Sequence, residues 1–417
     1  MDRATAAAGA GPGAARPATL TLLGPAFVAA IAYVDPGNVA SNLSAGSTYA
    51  YALVWVLVAA NLMAVVVQYR SAKLGIVTGA PLAALVVHRL NRRGRGWSYA
   101  YGSQAFIVAV ATDIAEVVGG ALGLALLFGI PLWIGGLIVG AATMLLLSLL
   151  RRRTARTFEA AVAAFGALVI VAFVGGLFLA PPDPMATLRG VVPSIPDSDA
   201  WALAAAMLGA TVMPHAIYLH SSLAVDRFRR GGHLVAPVEF LLRVQRWDVG
   251  IALVCAGTAN IAMLLYGAAA LQGARGDTIE SAHRVLGETI GPVAAAMLGA
   301  GLLASGLGSA LVGTHAGARI ARDALPLSMT PTMRRALTLV PALVLLVVGA
   351  PPTLVLVVSQ IVLSFGIVFA AAPLLWLTGS REVMGRYADS GAGKIAGWVI
   401  VGLIVALNVS LLVSLVP

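Results

Sequence analysis

The number and length of its apolar runs constrain this chain most. Of its 417 residues 59% are hydrophobic and 11% charged, a balance that no soluble domain of this length needs for its interior. A helix of about 20 apolar residues crosses the hydrocarbon core of a bilayer. We therefore predict an all-α polytopic membrane protein. Eleven transmembrane helices are predicted, at roughly 19–44, 50–72, 101–127, 130–150, 157–179, 200–225, 247–271, 288–313, 335–350, 353–378 and 394–416.

The net charge of +10 is explained by where the basic residues lie. With the N-terminus in the cytoplasm, all but three of the 27 Lys and Arg residues fall in cytoplasmic segments, the exceptions being Arg189, Arg275 and Arg284. Short cytoplasmic loops carry this positive bias. The basicity therefore predicts a multi-pass protein of the cytoplasmic membrane, with the lipid bilayer and not a nucleic acid as partner. The single cysteine, Cys255, excludes an internal disulfide framework and a thiolate metal cluster.

Two of the predicted helices, the first and the sixth, are interrupted by proline. The interruptions read Asp35-Pro36-Gly37-Asn38 and Met213-Pro214-His215. Because proline has no N–H, Pro36 leaves the carbonyl of Ala32 without its helical donor, and Pro214 does the same to Ala210. Non-helical backbone at membrane depth persists only where it lines a cavity or a bound ion.

If the two interruptions face each other, they enclose a dehydrated site for a divalent cation. Asp35 supplies a carboxylate, Asn38 an amide oxygen, Ala32 and Ala210 carbonyls, and Met213 a thioether. Sulfur is a soft ligand that adds little for Mg²⁺ or Ca²⁺. Hard oxygens with one sulfur predict Mn²⁺ or Fe²⁺ as the bound ion, with Cd²⁺ as a non-physiological substitute. The alternative for either interruption alone is a simple bend, and for the methionine it is packing.

The interrupted helices are five spans apart, and because that offset is odd, the second half of the chain is inverted relative to the first. We predict a 5+5 inverted repeat with helix 11 as an appendage. The crossover between the halves is predicted to be external and without regular structure, and residues 74–90 to form an interfacial helix. The predicted segments are a disordered tail at 1–17, the first repeat at 18–180, the crossover at 181–198, the second repeat at 199–378, and a cytoplasmic loop with helix 11 at 379–417.

Helix 3 carries two acids, Asp113 and Glu116, that lie side by side because residues three apart differ by about 60° around a helix. Two carboxylates in apolar surroundings repel, which favours a proton on one of them. We predict a proton relay here. The alternative is a static pair that a buried arginine neutralises, and Arg334 and Arg335 at the start of helix 9 are the available cations.

Four further polar residues lie in the predicted helices. His215, next to the second interruption, is predicted to titrate near physiological pH as ion and proton exchange at the site. A hydrogen-bonded structural role is the alternative for His215. We place His220 in the same proton pathway. The two histidines are about 140° apart on a helix, so they do not share one ion. Gln360 is predicted to complete the metal shell and Asn260 to gate it, with interhelical hydrogen bonding as the alternative for both.

These motifs resemble the Nramp (natural resistance-associated macrophage protein) family of proton-coupled divalent metal transporters. The resemblance extends from about Leu22 to Leu377. Its most specific segments are Asp35-Pro36-Gly37-Asn38 and Ala210-Thr211-Val212-Met213-Pro214-His215, followed by Tyr218–Ser222, Ala111–Glu116 and Leu74–Gly79.

The resemblance implies the fold of the sodium-coupled amino-acid transporters, with no enzymatic activity and no cofactor apart from the transported ions. It implies metal bound by Asp35, Asn38, Met213 and the two carbonyls, and a proton route through Asp113, Glu116, His215 and the helix 9 arginines. Four features depart from the family pattern. Phe106 stands where a Glu is usual, Gly366 where a polar residue is usual and Ala216 where an Asn is usual, and the stretch around Leu311 to Ala318 replaces a Gly-Gln-rich one. These departures leave open a metal uniporter with weak proton coupling. Two further alternatives are a sodium-coupled transporter of organic solutes such as amino acids, which shares the expected fold, and an intramembrane metalloenzyme using Asp113 and Glu116, which lack the further ligands that a catalytic metal needs.

Overall fold

A computed structural model describes residues 22–151, 153–272, 278–325 and 330–414. The predicted tail at 1–17 lies outside these ranges. Within them, nine helices are long and apolar enough to cross a membrane, which confirms the all-α polytopic class. The first interrupted helix and the helix at Pro331–Val347 are shorter segments, so the number eleven stays a prediction.

We number the helices in chain order. They are α1 (Pro25–Ile31), α2 (Pro36–Tyr49), α3 (Val54–Thr78), α4 (Leu82–Asn91), α5 (Arg95–Phe128), α6 (Leu132–Arg151), α7 (Ala155–Leu179), α8 (Pro184–Arg189), α9 (Ala200–Thr211), α10 (Pro214–Phe228), α11 (Val238–Ala270), α12 (Ile279–Thr289), α13 (Pro292–Ala324), α14 (Pro331–Val347), α15 (Pro352–Gly379), α16 (Arg381–Met384) and α17 (Gly391–Ser414). A short β-hairpin joins α10 to α11, and each of its strands has two residues, β1 (Arg229–Arg230) and β2 (His233–Leu234).

Proline sets the start of many of these helices, including both halves that follow an interruption. The first N–H of a helix has no partner in any case, and the fixed φ of proline suits that position. Pro36 and Pro214 therefore do two things at once, because each ends the continuity of one helix and begins the next.

The two halves of the chain pack through corresponding helices. The short α1 packs on α10 and α2 packs on α9, so the two interrupted helices run antiparallel. In the same way α3 packs on α11, α5 on α13, and α6 on α14. Pairing between elements that hold equivalent positions in the two halves is the arrangement that an inverted repeat produces. It brings both interruptions to the middle of the bundle.

The ends of the bundle differ in charge. We call the end where α3 finishes and α11 begins the inner end, and the opposite one the outer end. That the inner end faces the cytoplasm stays a prediction from the positive-inside rule.

Two local predictions were wrong, and one helix was not predicted. Residues Leu74–Thr78 belong to α3, which runs to a left-handed Gly79 (φ 72°), and only Leu82–Asn91 forms the separate helix. The outer crossover contains α8, whose N-terminus is capped by Asp183 through backbone N–H groups at 2.8 and 3.0 Å. A further outer helix, α12, precedes α13.

Candidate functional site

The first interruption is shaped by Asp35. A turn of 3-10 helix at Ala32–Val34 follows α1, the chain becomes extended at Asp35, and α2 begins at Pro36. The Asp35 carboxylate caps α2, because its Oδ1 accepts the backbone N–H of Asn38 at 2.8 Å and the Asn38 side-chain amide at 2.8 Å. Aspartate is among the preferred residues for this position. The local sequence thus fixes a fully buried carboxylate at mid-helix.

The second interruption places Met213 in the equivalent position. Helix α9 ends at Thr211, Met213 has an extended conformation, and α10 starts at Pro214. No side chain caps α10, because a thioether cannot replace a capping oxygen. Met213 is completely buried and lies three residues beyond Ala210.

Hydrogen bonds join the two interruptions to α15. The Asn38 amide donates to the carbonyl of Ala210 at 3.1 Å, and the Gln360 amide donates to Asp35 Oδ2 at 3.0 Å. Gly37 allows this approach, because a Cβ at that position would overlap the Gln360 side chain. Four of the six predicted metal ligands are therefore hydrogen-bonded to one another, while Ala32 begins the turn directly before Asp35.

Two oxygens at this site lack partners. Asn38 Oδ1 and Gln360 Oε1 are buried and accept no hydrogen bond from any described residue. A buried oxygen without a donor is destabilising unless a ligand satisfies it. A cation that entered beside Asp35 would find these two oxygens free to bind it.

The predicted acidic pair lies next to both predicted arginines in one buried cluster. Arg334 Nη2 is 2.5 Å from Asp113 Oδ2, and Arg335 Nη1 is 3.4 Å from Asp113 Oδ1 and 3.2 Å from Glu116 Oε2. All four side chains are at most 1% exposed. The guanidinium of Arg334 also lies 5.7 Å from the ring of Phe106. Two carboxylates and two guanidinium groups thus neutralise each other inside the bundle.

His215 connects this cluster to the second interruption. Its Nδ1 lies 3.3 Å from the hydroxyl of Thr112, which directly precedes Asp113. Thr112 was not predicted as a site residue, although its position next to the acidic pair is visible in the sequence. The histidine thus links α10 to the helix that carries the two acids.

His220 lies in a different network, away from the acidic pair. Its Nδ1 is 2.8 Å from Gln68 Oε1 and its Nε2 is 3.2 Å from Gln245 Nε2. Gln68 also contacts the hydroxyl of Tyr33, two residues before Asp35. On the other side Gln245 donates to Asp248 at 3.3 Å. Sequence reasoning missed Gln68, Gln245 and Asp248.

Asp248 ends this network at the N-terminus of α1. Its two oxygens accept the backbone N–H groups of Gly24 and Ala26, each at 3.0 Å. The carboxylate therefore holds α1 in place from α11, and the positive end of the α1 dipole favours a negative group there. The network runs continuously from Tyr33, beside the interruption, to the inner end of the bundle.

Asn260 bonds between helices. Its amide donates to the carbonyl of Tyr33 at 2.7 Å, and its oxygen accepts from Asn42 at 3.2 Å. Within the described part of the chain, Asn260 makes no hydrogen bond to Asp35. The structure thus connects it to the backbone of the first interruption instead.

A cavity of about 370 Å³ opens at the inner end below α1. Val28 of α1 lines it, together with residues of α6, α7, α10 and α13. Ion pairs between Arg227 and Glu159 and between Arg319 and Asp226 cross its walls. With α1 held by Asp248, the buried Asp35 is separated from this cavity.

Comparisons with known proteins identify the family of this chain. Residues 26–414 match the family described as natural resistance-associated macrophage protein-like. The chain is 50% identical over 395 residues to the divalent metal cation transporter MntH of Mycobacterium tuberculosis, covering 94% of this chain and 91% of that one.

Among solved structures, the manganese transporter of Eremococcus coleocola superposes with a TM-score of 0.85 at 28% identity, covering 95% of this chain and 87% of that one. MhsT in complex with L-phenylalanine superposes with a TM-score of 0.55 at 14% identity, covering 94% of this chain and 97% of that one. The second likeness concerns the fold alone.

Proposed function

Since the chain belongs to the natural resistance-associated macrophage protein-like (Nramp) family, we propose that it is a secondary transporter that imports divalent transition-metal ions, Mn²⁺ or Fe²⁺, with protons. The relatives are named as divalent metal cation and manganese transporters. The ion would bind between the two interruptions and reach each side of the cytoplasmic membrane in turn, with the N-terminus in the cytoplasm. Cd²⁺ would be carried as a non-physiological substitute.

One observation carries this proposal: a fully buried carboxylate lies beside two buried oxygens that accept no hydrogen bond from the described part of the chain. Asp35 supplies the charge, and Asn38 and Gln360 supply the free oxygens. Ala32 and Ala210 would add carbonyls, and Met213 a soft ligand that favours transition ions over Ca²⁺. Metal and proton compete for one carboxylate, so metal entry at Asp35 would release a proton.

The proton route would use the buried cluster of Asp113, Glu116, Arg334 and Arg335, with His215 between it and the metal site. The 3.3 Å contact of His215 with Thr112 supports this arrangement. We place His220 in the network that holds α1, so its effect would be on opening of the inner end. A uniporter with weak proton coupling would take up metal equally at every external pH.

Mn²⁺ uptake into proteoliposomes tests the proposal. Asp35→Ala should reduce uptake at least tenfold, because removing a charged ligand costs on the order of 2 kcal/mol or more. The matched control is Asp323→Ala, which removes a largely buried carboxylate at the inner end, where it pairs with Arg322 at 2.9 Å. This control should transport normally. Full uptake by Asp35→Ala would contradict the proposal.

A second variant tests whether the Met213 sulfur is a metal ligand. Met213→Ala should lose more discrimination against Ca²⁺ than it loses Mn²⁺ uptake, because the thioether is the ligand that distinguishes the two ions. If excess Ca²⁺ competes equally with Mn²⁺ in both proteins, the methionine is a packing residue. A sodium-coupled transporter of organic solutes has no use for this thioether, and competition of amino acids with Mn²⁺ would favour that function instead.

A further inference from the structure

A recess of about 330 Å³ lies between α3 and α11 near the inner end. It is lined by Val65, Val66, Tyr69, Arg70, Arg246, Val249 and Asp389. Helix α3 runs towards the inner end, so its two valines lie deeper in the bundle than Tyr69 and Arg70. Helix α11 runs the other way, so Val249 lies deeper than Arg246. The recess is therefore apolar at membrane depth and basic where the helices leave the bilayer.

An exposed guanidinium is held at the mouth of this recess. Arg246 lies with its guanidinium 5.5 Å from the centre of the Tyr69 ring, and its Nε donates to the Tyr69 hydroxyl at 3.2 Å. The neighbouring Trp247 is 67% exposed, as expected of an aromatic side chain at the level of the lipid headgroups. The mouth therefore presents a positive charge at the height of the lipid phosphates.

A second guanidinium lies behind the mouth. Arg70 is 6% exposed, and its Nε pairs with Asp389 at 3.1 Å while Nη2 donates to the carbonyl of Gly393. Its Nη1 is buried and has no hydrogen-bond partner within the described part of the chain. Lys73 also pairs with Asp389, at 2.7 Å. Two cations thus pair with one carboxylate, and with Arg246 at the mouth this leaves a surplus of positive charge around the recess.

We propose that this recess binds an anionic phospholipid of the inner leaflet. Its phosphate would bind the guanidinium of Arg246, which Tyr69 orients, with Arg70 behind it, and an acyl chain would follow Val65, Val66 and Val249 into the bilayer. Guanidinium groups bind phosphate with two parallel hydrogen bonds, and basic pockets between transmembrane helices on the cytoplasmic side suit such headgroups. A free phosphate ion would use only the basic end, whereas a lipid also accounts for the valine walls.

Native mass spectrometry of the delipidated full chain in neutral detergent tests this site. With phosphatidylglycerol and phosphatidylcholine at equal concentration, one phosphatidylglycerol should remain bound in preference. Arg246→Gln should weaken that binding about tenfold, because a charge-assisted hydrogen bond is lost. Arg243→Gln is the matched control, since it removes another exposed arginine one turn earlier on α11 and should leave affinity within about twofold.

A second variant separates loss of binding from misfolding. Tyr69→Phe keeps every charge and removes only the hydroxyl that orients Arg246, so it should weaken phosphatidylglycerol binding about fivefold without changing the thermal unfolding curve. Equal losses in Arg246→Gln and Arg243→Gln, equal binding of phosphatidylcholine, or displacement of the lipid by millimolar inorganic phosphate would each overturn the proposal. The readout involves no transport, so its failure is distinct from failure of the proposed function.

Discussion

Asp248 is expected to control the opening of the inner end, because it is the carboxylate that holds the N-terminus of α1. Replacing it by alanine leaves the N–H groups of Gly24 and Ala26 without the acceptors they have at 3.0 Å. When α1 moves away, water can take both donors, so the relevant difference is between two hydrogen bonds to a carboxylate and two to water. At about 1.5 kcal/mol each, the closed arrangement loses about 3 kcal/mol.

A change of 3 kcal/mol corresponds to about a hundredfold shift in the ratio of open to closed molecules. Accessibility of Val28 reports that ratio, because this residue is 1% exposed and lines the inner cavity. With the single native cysteine removed by Cys255→Ser, a Val28→Cys protein can be labelled from the inner face with a membrane-impermeant thiol reagent. Asp248→Ala should raise the labelling rate by up to about a hundredfold.

Asp248→Asn provides the graded comparison, since its amide retains one acceptor oxygen, and its labelling rate should lie between those of the wild type and Asp248→Ala. Asp323→Ala removes an inner-end carboxylate that contacts neither N–H group and should leave the rate unchanged. If Asp248→Ala labels at the wild-type rate, the carboxylate does not hold α1 and the reasoning is refuted. Unchanged thermal unfolding of the labelled proteins excludes general loosening.

Two further outcomes follow from the charges and the packing of the bundle. If uptake is proton-coupled, Asp113→Asn should flatten the stimulation of uptake by acid between about pH 7 and pH 5.5, whereas the control Asp197→Asn should not. The Tyr49 hydroxyl at 2.7 Å lowers the pKa of the Asp197 carboxyl below its ordinary value of about 4. Asp197 therefore stays ionised over this pH range, and its hydrogen bond is lost only as pH falls through the lowered pKa. Equal flattening in both variants would contradict this assignment. Gly317→Ala should lower the free energy of unfolding by about 3 kcal/mol, because a Cβ would overlap the Arg334 guanidinium that pairs with Asp113. The control Gly402→Ala, whose Cβ would have no atom within 4 Å, should not destabilise the protein. Equal melting curves for the two variants would show that the cluster tolerates displacement.

The sequence was sufficient for the parts of the site that depend on backbone chemistry. Proline fixes where α1 and α9 must end, and the odd number of spans between the two interrupted helices predicts that the interruptions meet in an inverted arrangement. The contact of Asn38 with the Ala210 carbonyl agrees with that prediction. The start of α8 was also visible, since Asp183-Pro184 is a helix-initiation signal, and it was missed because the prolines around it were read as loop.

The network that holds α1 could not be predicted in the same way. Gln68, Gln245 and Asp248 lie near helix ends rich in basic residues, where polar side chains ordinarily face water or lipid headgroups. Asp248 and Gly24 are 224 residues apart in the chain. No periodicity in one helix reveals a partner at that separation, and only the packing of α1 against α11 brings the two together.

The two buried acidic sites differ in how their charge is balanced, and this difference indicates what each can do. Asp113 and Glu116 face Arg334 and Arg335 at 2.5 to 3.4 Å, so that cluster is neutral when every group is ionised. Asp35 has amide donors only, and none of the ion pairs between described residues includes it. A buried carboxylate without a cation is costly, and either a proton or a metal ion can supply the missing charge. Under the proposed function, exchange of one for the other at Asp35 would leave the charge of the neighbouring cluster unchanged, so metal entry and proton release would be coupled at this one carboxylate.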